Sequence, residues 1–410
     1  MNAEEEPSTL HAFEGYGIEL EYMIVARDGL SVLPIADRLL RDAPGANALL
    51  DWSNELVLHV IEIKNPRPVD ALSMLPDAFE AQVREINRRL EPLDARLMPG
   101  AMHPWMDPKT ETHLWPHDNR VIYRAYERIF DTKSHGWANL QSMHVNLPFS
   151  GDDEFARLHA AIRLVLPILP ALAASSPIAD GRHTGWGDYR MQVYCDNAHS
   201  IPSIAGKVVP ETITSRAAYE QRILAPMYRD IAPHDPDKVL QQEWLNSRGA
   251  IARFDRNAIE IRVIDVQECP RVDLAIAAVA KSVIEMLYRE EHAPLVEQQE
   301  LTTAALAALL HDCIRDAEQT VLNNADYLRL FGFPSPRCEA LELWQYLIER
   351  MPEGDAQHWL APLQAILRHG PLARRISRAV GDDCSPVRLE AVYRQLCDCL
   401  QEGKMFEGTA

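Results

Sequence analysis

The segment GYGIELEYMIVA, residues 15–26, sets two glutamates inside an otherwise apolar, β-rich run. Ile18, Leu20 and Tyr22 alternate with Glu19, Glu21 and Met23, the period of a strand with one face in a core. Glu19 and Glu21 therefore project from the same face. Two carboxylates side by side on a sheet repel unless positive charge lies between them. Hard divalent cations with oxygen ligands supply such charge; an outer sheet face open to water is the alternative.

The same pattern recurs three times. Glu62 sits in LVLHVIEIK, residues 56–64, closed by Asn65 and Pro66. Glu55 lies seven residues before it, so a regular strand would put the two on opposite faces, and Glu55 is expected at a bend or in the preceding loop. SMHVNL, residues 142–147, presents His144 and Asn146 together, and AIEIRVIDV, residues 258–266, presents Glu260 and Arg262. Four strands with one polar and one apolar side point to a shared polar cavity. Its Glu, His, Asn and Arg side chains could hold two or more Mg²⁺ ions beside a phosphate-binding arginine. Asp265 falls on the other phase of its strand and is expected to make a structural hydrogen bond.

Around these strands the chain reads as α+β. Helical spacing covers 70–96, His117–Phe130 and Asp152–Ala174, with a short strand over 96–104 and a long polar loop over 175–190. After Pro270, helices are expected at 271–292, 300–323, 338–350, 355–369 and 386–402. The expected organisation is a catalytic α+β region, 14–292, with a helical C-terminal extension, 293–410, packed on it.

Composition narrows the function classes. The formal charge of −19 disfavours a general nucleic-acid surface and anionic membranes. The most apolar stretch, Leu158–Ala174, is interrupted by Arg163, Pro167 and Pro170, so no membrane span is expected. The acidic start MNAEEEPSTLHAFE has no apolar leader, and the seven cysteines form no CxxC pair, which together suggest free thiols in the cytoplasm. Neither a Walker A motif nor a dinucleotide fingerprint is present, and no Gly-x-Ser-x-Gly element offers a nucleophile.

The ordered blocks resemble the second glutamate–cysteine ligase family, in its bacterial carboxylate–amine ligase branch, from about residue 15 to about residue 290. GIELEYMIV is similar to its first strand, and ELVLHVIEIKNPRP to its second block. PGAMHP resembles a Gly-x-x-His-Pro turn and points to His103; HDNRVIYRAY resembles the next helix, with Arg120 and Tyr123. SMHVNL resembles the next strand; ASSPIADGRHTGWGDYR resembles the loop that carries Ser176, Thr184 and Arg190; RNAIEIRVIDV resembles the last strand. Asn146 stands where the branch usually has a second histidine. The segment 103–120, with Trp105 and Trp115, is longer than the family pattern and is expected to line a different substrate pocket or to form a surface insertion.

The resemblance implies a glutamine-synthetase-like curved antiparallel sheet forming a funnel, with ATP entering one end and substrate the other. It implies Glu19, Glu21, Glu55, Glu62, His144 and Glu260 as ligands of two or three Mg²⁺ ions. Arg262 and Arg190, with Glu62, are implied as catalytic. His103, Arg120, Tyr123, Asn146, Ser176, Thr184, Arg190 and Arg262 are implied as substrate or nucleotide contacts. The implied reaction joins a small carboxylate, by default glutamate, to an amine or amino acid through an acyl phosphate, in a protein that is expected to form a homodimer. A guanidino-type phosphotransferase and a non-catalytic nucleotide-binding homologue are the alternatives on the same fold.

Overall fold

The alternation in residues 17–26 builds the central strand of the protein. The computed structural model describes residues 9–45 and 47–408. Among these, seven strands form one open antiparallel sheet: β1 (Gly17–Ala26), β2 (Asp51–Asn54), β3 (Val60–Lys64), β4 (Ala95–Met98), β5 (Ser142–Pro148), β6 (Ala250–Arg253) and β7 (Ala258–Asp265). The order is β2-β3-β1-β5-β7-β6, with β4 paired to the C-terminal half of β1. The apolar phase of each strand faces helices: Ile18, Leu20, Ile61, Ile63, Met143, Ile259 and Ile261 all lie in one buried cluster. Helices Gly151–Val165, Pro270–Tyr288 and Pro76–Leu90 form the layer against that side. Burial of a strand side chain of this size contributes roughly 1.5–3 kcal/mol, so the four alternating runs fix which face of the sheet is dry.

The same cluster reaches from Tyr16 to Leu400, so the C-terminal helices share its core. A second cluster joins Met23, Val25 and Met98 to the helices Leu372–Val380 and Pro386–Glu402. Arg375 and Glu268, both essentially fully buried, form an ion pair there that also holds Phe406: Arg375 donates to its carbonyl and Glu268 accepts from its N–H.

Several expected elements are divided. The run 152–174 is a helix only to Val165; Pro167 and Pro170 lack N–H donors, and the chain continues as a 3₁₀ turn and a short helix, Pro170–Ala173. The expected helix 300–323 is Leu295–Glu300 and Thr303–Asp316, followed by a 3₁₀ turn and the short strand Val321–Leu322. The loop 175–190 contains the hairpin Ile178–Ala179 and Arg182–His183, and then helix Tyr189–Tyr194, capped by Asp188 accepting from Met191 N–H. β2, β6 and helix Leu372–Val380 were not legible as elements, because β2 and β6 are four residues each and six of the helix's nine residues are arginine, alanine or serine. Of the segment 103–120, Asn119 borders a cavity beside the sheet. Trp115 is 8 % exposed in the main core, and Trp105 stacks edge-on between His103 and Tyr393. No described helix is long and apolar enough to cross a membrane. All seven cysteines are unpaired.

Candidate active site

The register of the sheet lines up the polar phase in rows. Glu62 on β3 stands opposite Glu21 on β1 and opposite Ser53 on β2. Glu19 on β1 stands opposite Lys64 on one side and His144 on the other. Gly17 faces Asn146, which faces Glu260 on β7. A bulge adds a residue to β7 between Ile261 and Ile264, against Met143 and Val145 on β5, and brings Asp265 opposite Ser142. Two trios result whose donor atoms lie within 4.8 Å of one another: Glu19, Glu62 and His144, and Glu21, Glu55 and Glu62. Glu62 belongs to both. Glu55 sits just beyond the end of β2 and turns back to the sheet, as its spacing from Glu62 required.

The cluster is held by short contacts. Glu62 accepts from Ser53 Oγ and Lys64 Nζ, each at 2.5 Å. Glu21 accepts from the N–H and hydroxyl of Ser142 at 2.7 and 3.0 Å. Glu19 accepts from Asn146 Nδ2 at 3.0 Å and lies 3.1 Å from His144 Nδ1. His144 Nδ1 is also 3.8 Å from Glu260. Arg262 Nε lies 3.0 Å from Glu260 Oε1 and Arg253 approaches the other oxygen at 3.6 Å, as ion contacts.

Buried charge shifts these groups in opposite directions. Burial, and then the charges of Glu21 and Glu62, push the Glu55 carboxyl well above its ordinary value. Burial likewise raises Glu21, against the pull of His144. For Glu19, burial acts upward but the His144 hydrogen bond and charge outweigh it, and its pKa falls to about 2. Such a set holds mutual repulsion that an added cation would relieve. The donors are carboxylate oxygens with one imidazole, the chemistry of a hard divalent ion.

Two cavities flank the rows. One, of about 470 Å³, is lined by Glu21, Glu55, His144, Arg190, Arg262 and Tyr123, among others. The other, of about 900 Å³, is lined by Gly17, Glu19, Lys64, Asn146 and the 255–258 turn. Arg256 borders both. Arg190 is 1 % exposed; its Nε donates to Asp265 Oδ1 at 2.5 Å while its Nη atoms reach the Arg262 carbonyl. Asp265 makes structural bonds, as expected, and also accepts from Ser175 N–H and Ser176 Oγ. It does not lie on the opposite face, however: the bulge in β7 sets it opposite Ser142, on the polar phase.

Other residues singled out in the sequence are placed away from the rows. His103 is fully buried; its Nε2 bonds the Leu30 carbonyl and its Nδ1 accepts from Trp105 and Met106 N–H, so the ring is used by the turn. Ser176 serves Asp265 and Arg190, and the Thr184 hydroxyl donates to the Pro177 carbonyl. Arg120 is exposed at the start of its helix, outside both cavity linings. Sequence reasoning gave no role to Lys64, Ser53 or Ser142. The signal for Lys64 was its place two residues after Glu62, and for Ser142 its place two residues before His144; Ser53 offered none.

Sheet, helical layer and carboxylate rows define a protein with the fold of the glutamate–cysteine ligases. Residues 16–395 match glutamate–cysteine ligase family 2, and the chain belongs to that family. The match runs past residue 290, where the ordered sequence blocks end, through most of the C-terminal helices. An uncharacterized protein of Archaeoglobus fulgidus is 33 % identical over 386 residues, covering 92 % of this chain and 96 % of its own. A Bradyrhizobium protein named "Putative glutamate--cysteine ligase 2" is 26 % identical over 67 % of this chain and 62 % of its own. Among solved structures, glutamate–cysteine ligase of Francisella tularensis in complex with AMP superposes with a TM-score of 0.56 at 12 % identity, over 96 % of this chain and 89 % of that one. A bifunctional glutathione synthetase of Pasteurella multocida gives 0.59 at 15 % identity, over 95 % of this chain and 53 % of that one. At these identities the likeness is one of fold.

Proposed function

We propose that this protein is an ATP-driven, Mg²⁺-dependent ligase that joins a small-molecule carboxylate, glutamate in the first instance, to an amine. The observation that carries the reading is the pair of carboxylate trios sharing Glu62, beside Arg262 and between two cavities. A free carboxylate is a poor acyl donor because oxide is a poor leaving group. Transfer of the γ-phosphoryl group of ATP to a carboxylate oxygen yields an acyl phosphate and ADP. Attack by the amine nitrogen then forms the C–N bond, breaks the C–O bond to phosphate, and releases phosphate and a proton.

Glu19, Glu62, His144 and Glu260 would hold one Mg²⁺, and Glu21, Glu55 and Glu62 a second. Bound there, the ions neutralise the polyphosphate and the charge that develops on the transferring group. The protein's own part is preorganisation. Ser53, Ser142, Lys64 and Asn146 fix the carboxylates before substrate arrives. Arg262 reaches the transferring phosphoryl group, and Arg190, oriented by Asp265, supports it from below. The nucleotide, the larger substrate, takes the 900 Å³ cavity with Lys64 and Asn146 at its phosphate end. The carboxylate and amine take the 470 Å³ cavity, where Tyr123 stands beside Asn54.

The test incubates the protein with Mg·ATP, a pool of carboxylates and hydroxylamine, and follows ADP and hydroxamate. Hydroxamate formation that is lost in Glu62→Gln is the expected result. ADP release with a stable phosphorylated nitrogen compound would instead identify a guanidino-type phosphotransferase, and absence of Mg·ATP binding would make the protein a non-catalytic homologue.

A further inference from the structure

The smaller cavity has two chemically different sides. Glu21, Glu55, Arg190 and Arg262 occupy the side toward the sheet. Tyr126, Trp137 and Trp244 line it elsewhere, together with Ile122 and Leu140. The rings form one wall: Tyr126 lies 5.2 Å from Trp137 and 6.2 Å from Trp244, centroid to centroid. Trp137 is stacked on Phe130 at 5.0 Å and 26°, and its indole N–H donates to the Asn197 carbonyl, so its orientation is fixed from behind. All three wall rings are only partly buried, with surface left toward the cavity. Tyr126 shares a helix face with Ile122 and is one turn from Tyr123, so helix Arg120–Ile129 presents this wall as a unit.

Aromatic rings left partly bare in a cavity of ligand size mark the place of an apolar or aromatic ligand surface. A thiol one carbon beyond the α-carbon cannot cover three rings. We propose that the amine acceptor carries an aromatic side chain, which seats on the Tyr126–Trp137–Trp244 wall while its amino group faces the Glu21–Glu55 side. This rests on the ligase reading above and adds the substrate class. It assigns Tyr126, Trp137 and Trp244 as specificity residues, distinct from those that hold the metal and phosphate.

Equilibrium dialysis of the full chain with Mg²⁺ and a non-hydrolysable ATP analogue, against tyramine, phenylalanine, alanine and cysteine, tests it. The aromatic amines are expected to bind at least tenfold more tightly than alanine or cysteine. Trp137→Ala is expected to remove that preference and Trp137→Phe, which keeps a stacking ring, to retain most of it. Equal binding of all four, or preference for cysteine, overturns the proposal. So does a Trp137→Ala variant that weakens the nucleotide analogue and leaves the amine preference intact, since that result seats adenine on the wall. The hydroxylamine assay separates the two readings. Hydroxamate formation without an aromatic preference leaves a ligase with a different acceptor. Aromatic binding with neither hydroxamate nor condensed product removes the ligase reading, and with it the role of the aromatic amine as acceptor.

Discussion

At the residue scale the site is governed by like charges placed directly opposite one another. Glu21 and Glu62 face across β1 and β3, an arrangement that destabilises a sheet unless it is offset. Lys64, Ser53 and Ser142 offset part of it, and a metal would offset the rest. Glu62→Gln is therefore expected to reduce ligase activity by about a hundredfold or more, as loss of a shared charge-stabilising group does, while the melting temperature holds. Thermal melts with and without Mg²⁺ check this: the metal-induced gain should vanish in the variant. The protonation of Glu55 gives a second expectation. Its folded pKa lies well above the ordinary 4.5, through burial and then Glu21 and Glu62, tempered by Lys64. The fold then gains stability from this group below pH 4.5 and loses it as pH rises from there toward the raised value. Glu19, lowered to about 2, acts in the opposite sense but only below its ordinary 4.5, so the two windows do not overlap. In chelator, melting temperature is expected to fall with rising pH, and the Mg²⁺-induced gain to grow. Glu55→Gln should flatten both slopes.

At the element scale, strands were legible wherever apolar and polar residues alternated for six residues or more, as in β1, β5 and β7. β2 and β6 lacked that length and took their places by pairing with β3 and β7. Long helices were legible by period, but their breaks at Pro167 and Pro170 were not respected by a pattern read over 152–174. The pairing of β1 with β5 gives a further expectation. A Cβ added at Gly17 would meet the Asn146 Cβ at 3.0 Å, so the absence of a side chain there lets Asn146 reach Glu19. Gly17→Ala is expected to cost about 1–3 kcal/mol in urea unfolding. On the proposed placement of the nucleotide it should also raise the KM for ATP more than the KM for the amine. An unchanged ratio of the two would remove Asn146 from the nucleotide side.

For the whole molecule, the C-terminal helices are tied to the rest of the core through buried charge as well as apolar contact. Glu268 precedes the helix Pro270–Tyr288, Arg375 lies on Leu372–Val380, and both hold the backbone of Phe406. Arg375→Met leaves Glu268 buried without its cation, which costs about 3–5 kcal/mol. The expected outcome in urea is a lower midpoint for the whole protein in a single transition. A transition confined to the C-terminal helices, with the sheet unaffected, would show that the two parts unfold separately.

The sequence by itself determined the polar and apolar faces of the strands, because a period of two needs no tertiary information. It placed Glu19, Glu21, Glu62, His144, Glu260 and Arg262 on the polar phase of their strands and gave Asp265 a structural hydrogen bond, but a bulge that no local period records turns Asp265 to the polar phase as well, opposite Ser142. Only the tertiary structure decided the register that sets Glu62 against Glu21 and Glu19 against His144, since register depends on how each strand buries its own apolar phase against the helices. It also decided that His103 serves a turn, that Arg190 is clasped by Asp265, and that Tyr126, Trp137 and Trp244, from three separate segments, meet in one wall. Such contacts join residues far apart in the chain, and no local pattern records them.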